Sequence, residues 1–163
     1  MSAPAHPGHA FTSHDHSHCR RDGLARADQV ARARGLRMTP VRRCTLEILL
    51  QEHRALGAYE VLDRLVAAGF GRQPPVAYRA LDFLVENGFA HRVQALNAFI
   101  ACAHPGEDHQ AVFLICRTCS AIAEAPIDAP RAAVEKTANA LGFVAERVNI
   151  EATGLCPKCR DAA

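Results

Sequence analysis

The spacing of apolar positions predicts two helices within residues 24–50. An Ala/Arg-rich segment over residues 24–35 suits a first helix, and Thr39 and Pro40 supply the N-cap and first-turn residues that open a second. Apolar residues of the second helix recur on one face, at Val41, Cys44, Ile48 and Leu49. The Cys44 thiol is therefore predicted to pack in the core rather than to bind a metal.

Two more helices are predicted before residue 90. The third extends from about Tyr59 to Ala68 and stops at Gly69, and the fourth lies between Pro74-Pro75 and Asn87-Gly88. Their predicted buried stripes are Leu62, Leu65 and Val66 in the third and Ala77, Leu81, Leu84 and Val85 in the fourth. Three further residues are left on the other faces of the fourth helix: Tyr78, Arg79 and Asp82.

Short β-prone runs follow the helices. Ala90–Gln94 and Ala98–Cys102 form a predicted hairpin, and helices followed by a hairpin indicate a winged helix. Beyond residue 110 the pattern predicts strands over 111–116, 121–125 and 143–151, and a helix over 130–141 that starts near Asp128 and is stopped by Gly142. The predicted fold class is α+β, divided into a His-rich tail (1–21), a winged-helix domain (22–102), a linker (103–110) and a small α/β domain (111–163).

Composition limits the compartment and the partners. The chain has 163 residues and a net charge of +2, so the overall charge does not by itself indicate a polyanion partner. No apolar run is longer than that of Ala111–Cys116, which is far shorter than the roughly 20 residues of a membrane helix, and a cytoplasmic protein without membrane contact is predicted. Arginines crowd the first third, which predicts a DNA-facing surface there: Arg20, Arg21, Arg26, Arg32, Arg34, Arg37, Arg42 and Arg43.

The N-terminal segment is rich in metal-binding side chains but has no helical or strand period. It contains His6, His9, His14, His16, His18 and Cys19. We interpret it as a disordered tail, because ordering a flexible segment around each ligand costs conformational entropy. A metal-scavenging tail is the alternative.

Four of the seven cysteines form two Cys-x-x-Cys pairs, Cys116/Cys119 and Cys156/Cys159. Two such turns each direct two sulfurs at one point and together complete a tetrahedron suited to Zn²⁺. A thioredoxin-like redox site would need a single pair opening a helix in a βαβ unit. The four cysteines therefore predict a structural zinc, and a four-thiolate site has no open position for catalysis.

Residues 74–89, PPVAYRALDFLVENGF, resemble the recognition-helix signature of the ferric uptake regulator family. The similarity extends from about Asp22 to Cys159. It implies a homodimer in which this helix enters the DNA major groove, with Tyr78 and Arg79 touching bases and sugar-phosphate. An Arg guanidinium can bond a purine edge bidentately, which fits that role. Without the resemblance, a solvated helix face would be the simpler interpretation of both residues.

A second metal site is implied by the same resemblance. Four residues match positions that bind the sensing zinc in the zinc uptake regulator subgroup: His91, Cys102, His109 and Glu124. Two imidazoles, a thiolate and a carboxylate suit Zn²⁺. Iron and peroxide sensors of the family carry a His-rich cluster that ends three residues before the first Cys-x-x-Cys. This chain has Phe113 at that position and lacks the cluster, which favours a zinc sensor. His104 is an additional candidate ligand, although a solvated loop histidine is the simpler interpretation.

The sequence thus predicts a zinc-responsive repressor of zinc uptake genes that is not an enzyme. We expect two Zn²⁺ ions per subunit, one structural and one regulatory, and a near-palindromic DNA operator. Three alternatives remain. Two lie within the family or its fold: an iron, manganese or peroxide sensor, and a DNA-binding module that does not respond to metal. The third is a zinc-dependent hydrolase or deaminase. A deaminase needs His-x-Glu and a proline before its cysteine pair, and neither pair here follows a proline.

Overall fold

The computed structural model describes Phe11 and residues 16–107, 111–126, 128–146 and 148–162. The first half contains four helices: α1 (His16–Ala33), α2 (Pro40–Leu49), α3 (Ala58–Ala67) and α4 (Pro74–Glu86). Two strands follow, β1 (Ala90–Val93) and β2 (Ala98–Ala101), joined by the 3-10 turn Gln94–Leu96. The second half contains β3 (Ala111–Cys116), β4 (Ile122–Pro126), α5 (Asp128–Ala140), β5 (Ile150–Gly154) and α6 (Pro157–Asp161). The predicted α+β class and winged helix are confirmed.

Local sequence explains the helix boundaries of the first half. Thr39 caps α2 by accepting a hydrogen bond from the Arg42 backbone N–H at 3.5 Å, and proline occupies the first turns of α2 and α4. Gly69 and Gly88 follow α3 and α4 with φ of +88° and +73°, the left-handed backbone that glycine adopts without strain. The predicted bounds of these three helices are correct to within a residue or two.

Three expectations need correction. α1 begins at His16 and not near Leu24, so it occupies part of the predicted tail; residues 1–10 and 12–15 lie outside the described residues. The last strand spans Ile150–Gly154, because it takes its position from pairing with β3, whereas Phe143 and Val144 are exposed outside any strand. The short helix α6 was not expected.

The core of the first unit packs α1–α4 against the hairpin. Its most enclosed side chains include Leu49, Leu56, Leu65, Leu81 and Leu84. Cys44 is half-buried and packs at the edge of this cluster, as its helical spacing predicts. No helix among the described residues combines the length and apolar character needed to cross a membrane.

The second unit is built on a three-stranded sheet with the order β4-β3-β5. β3 pairs antiparallel with β4 and parallel with β5, and α5 lies in the connection between β4 and β5. A small apolar cluster joins this sheet to the β1–β2 hairpin, which we call the wing. It consists of Val93 and Ile100 from the wing with Ala111, Phe113, Ile115 and Ile122 from the sheet.

Backbone pairing adds a second attachment between the units. The segment after α2 exchanges two 2.8 Å hydrogen bonds with the wing between Leu56 and Phe99. The residues just before Leu56 contact the sheet of the second unit, because the Ile122 N–H donates to the His53 carbonyl at 2.9 Å. Residues 53–56 therefore touch the wing at one end and the second unit at the other.

Candidate metal centres and nucleic-acid interface

The parallel pairing of β3 and β5 brings the two cysteine pairs together. Cys116 ends β3 opposite Gly154 in β5, and the Arg117 N–H donates to the Gly154 carbonyl at 2.9 Å. The chain then turns through Ser120, which has a φ of +61°. From β5 it leads directly to Cys156, the residue before α6, and Cys159 lies in the first turn of that helix.

The four sulfurs form one group in which every pair lies within 4.8 Å. Cys119 Sγ and Cys156 Sγ are 3.7 Å apart, far longer than a disulfide bond of about 2.0 Å. A tetrahedral zinc with Zn–S bonds of about 2.3 Å places its sulfurs about 3.8 Å apart. The spacing of the thiols therefore fits a bound Zn²⁺.

Backbone groups already favour a thiolate in this cluster. The N–H groups of Cys119, Cys156 and Thr118 point at the Cys116 sulfur and lower the pKa of that thiol to about 6. The pKa of Cys159 is raised to about 12, first by its hydrogen bond with Cys156 and then by burial. The protein thus stabilises the Cys116 thiolate by itself, while Cys159 needs a cation to ionise beside it.

A second group of ligands lies where the wing meets the sheet. His91 in β1, Cys102 just after β2 and Glu124 in β4 place their ligand atoms within 4.8 Å of one another. His91 Nε2 is 3.4 Å from Glu124 Oε1, which matches the edge of about 3.4 Å expected for nitrogen and oxygen ligands on one tetrahedral zinc. The structure therefore brings together three of the four residues predicted for the regulatory zinc.

The surroundings of this group also fit a cation. Cys102 is 5% exposed, and burial, followed by the charge of Glu124, raises the pKa of its thiol far above the usual range. A divalent ion reverses that preference, because it stabilises the thiolate and the carboxylate together. Glu124 Oε2 accepts the Ala103 N–H at 2.9 Å, which orients the other oxygen toward His91.

The structure bears differently on the two other histidines that were candidate ligands. His109, the fourth predicted ligand, lies outside the described residues. His104 directs its backbone N–H at the Cys102 sulfur, and its imidazole is absent from the ligand groups found among the described residues.

The predicted DNA-facing residues lie on the exposed side of α4. Ala77, Leu81 and Leu84 are buried, while Tyr78 and Arg79 are exposed on the opposite faces. Several arginines of the first third make contacts within the protein instead. Arg34 donates to the carbonyls of Asn87 and Gly106, Arg42 stacks 3.6 Å from the Phe83 ring centroid, and Arg43 pairs with Asp28.

A winged helix joined through a metal-ligand group to a cysteine-rich sheet unit defines the class of metal-dependent transcription regulators. Comparison with known proteins narrows that class. The chain is 35% identical over 137 residues to the zinc uptake regulation protein of Escherichia coli (strain K12), covering 83% of this chain and 80% of the relative. The chain therefore belongs to the family of zinc uptake regulation proteins.

Solved structures agree with this assignment. A zinc uptake regulator complexed with zinc and DNA superimposes with a TM-score of 0.84 at 33% identity, covering 88% of this chain and 96% of the other. Holo XcZur superimposes with a TM-score of 0.78 at 39% identity, covering 88% and 99%. The apo form of XcZur superimposes with a TM-score of 0.50 at 36% identity over the same shares, so this chain is more similar to the holo form than to the apo form. No family model matches the chain.

Proposed function

We propose that the chain is a zinc-responsive DNA-binding repressor that controls zinc uptake genes, with Zn²⁺ as co-repressor. The observation that carries this proposal is the placement of His91, Cys102 and Glu124. Two of these residues belong to the wing and one to the C-terminal sheet, so a single ion bridges the two units. The zinc-bound and DNA-bound relative of the same family supports the same function.

Each subunit is proposed to hold two zinc ions. The structural ion lies on Cys116, Cys119, Cys156 and Cys159, and the regulatory ion on His91, Cys102 and Glu124 with His109 as the fourth ligand. Both ligand sets are then closed, with no position for a reacting water, so neither supports hydrolysis.

The protein is proposed to bind DNA as a homodimer in the cytoplasm. Tyr78 and Arg79 contact the major groove from α4, and Arg79 reads a base edge. Exposed apolar side chains on and after α5, notably Leu141, Phe143 and Val144, offer a surface for a second copy. A twofold dimer presents two recognition helices and therefore matches a near-palindromic operator.

Zinc acts in this scheme by shifting a population. Without the bridging ion the two units sample several relative orientations, of which some place both recognition helices correctly. In the closed arrangement the wing lies on the C-terminal sheet and the regulatory ligands converge. An ion that binds this arrangement preferentially raises the fraction of molecules that adopt it, in proportion to the ion's differential affinity.

The test is operator binding titrated against free zinc, with metal counted on the same samples. Because the four-cysteine set is complete without them, Cys102→Ser and Glu124→Ala should leave a folded dimer with its structural ion but should abolish zinc-dependent operator binding. Non-specific DNA affinity should largely remain, since phosphate contacts supply it. Glu146→Ala, which removes an exposed carboxylate outside both ligand sets, is the matched control.

Zinc-dependent binding that survived both substitutions unchanged would refute the assigned regulatory site. A wild type that ignored zinc but responded to iron would favour an iron sensor instead.

A further inference from the structure

A second carboxylate joins the far end of the wing to the C-terminal sheet. Glu151 Oε1 accepts the Gln94 backbone N–H at 2.6 Å, and Oε2 accepts the Ala95 N–H at 2.7 Å. Glu151 lies in β5, whereas the two amides open the turn between β1 and β2. Each oxygen accepts one backbone N–H of the wing, so the carboxylate bridges the two units with two charge-assisted hydrogen bonds.

The sheet register places this contact and the regulatory ligands in one row. Phe113 in β3 pairs with Glu124 on one side and with Glu151 on the other. Residues paired across neighbouring strands point to the same face of a sheet, so the two carboxylates flank Phe113, about 10 Å apart. Phe113 is 2% exposed and packs in the cluster that includes Val93 of the wing. Glu124, Phe113 and Glu151 therefore form one row that contacts the wing at both ends and at its centre.

The charge state of Glu151 suits this contact. Partial burial opposes ionisation, but the N–H groups of Ala95 and Gln94 and the side-chain amide of Asn149 outweigh it and lower the pKa of the carboxyl. Asn149 Nδ2 donates to Oε1 at 2.9 Å and so helps to hold the side chain in place. The group is a carboxylate at neutral pH, able to accept from both amides.

We propose that Glu151 is a positioning residue that holds the wing on the C-terminal sheet without metal, and thereby sets the free zinc needed for operator binding. This inference rests on the proposed function. The regulatory ligands join the same wing to the same sheet, so zinc and Glu151 favour one closed arrangement. A ligand's apparent affinity falls in proportion to the fraction of protein in its competent form, and loss of this contact lowers that fraction.

Glu151→Gln is the test variant, because it keeps the shape but turns an amide NH₂ toward one of the two N–H donors. We expect the free-zinc midpoint of operator binding to rise about tenfold, while dimer mass and four-cysteine zinc content stay unchanged. Glu146→Gln removes the same charge from an exposed residue of the preceding loop and should not shift the midpoint. Asn149→Ala should shift the midpoint in the same direction as Glu151→Gln, but less.

A second measurement uses neither DNA nor the regulatory ion. In dimer stripped of its weaker zinc, NMR-detected hydrogen exchange at the Gln94 and Ala95 amides should accelerate at least about tenfold in Glu151→Gln and not in Glu146→Gln. Unchanged exchange at these amides, or an unchanged zinc midpoint, would overturn the proposal. A wild type whose operator binding ignored zinc would contradict the proposed function, and the exchange rates would still decide whether Glu151 holds the wing.

Discussion

Replacing Cys116 with serine should unfold the C-terminal unit. Cys116 is 2% exposed at the end of β3, and its sulfur receives three backbone N–H groups. The substitution removes one of the four thiolate ligands. This thiolate is the one that backbone N–H groups stabilise most directly. The expected result is loss of the structural zinc, of the second unit's thermal transition and of the dimer.

The magnitude follows from the small size of the apolar core in this unit. Its large buried side chains in the shared cluster are Phe113, Ile115 and Ile122. Burying each contributes about 1.5–3 kcal/mol, or about 5–9 kcal/mol together. A structural zinc supplies about 10–16 kcal/mol at neutral pH. Losing half of that energy costs as much as the net stability of many whole domains, about 5–15 kcal/mol.

Calorimetry, zinc counting and sedimentation on the same protein would check this prediction. Cys44→Ser is the matched control, because Cys44 is a half-buried thiol outside both ligand sets and its replacement should cost only about 1 kcal/mol. A Cys116→Ser protein that retained its second transition, its dimeric mass and one zinc per chain would refute the reasoning.

Three other substitutions test separate parts of the molecule. Arg79→Ala should weaken operator binding by about 1–3 kcal/mol and relax base preference, measured by competition among operator variants; intact selectivity would end its assignment as a base reader. Leu81→Ala, at a fully enclosed position, should lower the free energy of unfolding in urea by about 2–5 kcal/mol. The hydrogen bond from Arg54 holds the pKa of Glu60 below its usual range, so this contact stabilises the fold above about pH 4.3 and is lost as pH falls through the lower folded-state pKa. Glu60→Gln should therefore reduce the loss in the free energy of unfolding as pH falls below about 4.3. The reduction should be less than about 1 kcal/mol, as expected for a partly exposed pair.

The sequence predicted best the elements whose boundaries are local. Proline in the first turn fixes the start of α2 and of α4, and a glycine fixes the end of α4. β3 has the predicted bounds Ala111–Cys116. The start of β5 depends on its register with β3, a contact between residues nearly forty positions apart, and no periodicity within residues 143–154 marks it. The early start of α1 reflects residues whose weak propensities favour neither helix nor coil.

Candidate ligands were predicted more completely than the contacts between units. The spacing of cysteines identifies the four-sulfur group by itself, and the family resemblance was needed to select His91, Cys102 and Glu124. Glu151 was missed because its partners are backbone amides, which leave no mark in a sequence. The same holds for Arg34, whose two carbonyl partners made it indistinguishable from an arginine facing phosphate.

The distribution of the proposed ligands over the two units would let one metal both build and regulate this protein. All four cysteines of the proposed structural set belong to the C-terminal unit, so the binding energy of that ion would go into folding the unit and would not depend on where the wing lies. The regulatory set divides between wing and sheet, so its binding energy depends on their relative position. The apolar cluster around Phe113 and the Glu151 contact hold the same interface without metal. The proposed regulatory ion would therefore add to an arrangement that is already partly favoured, and a modest differential affinity would be enough to change the DNA-competent population.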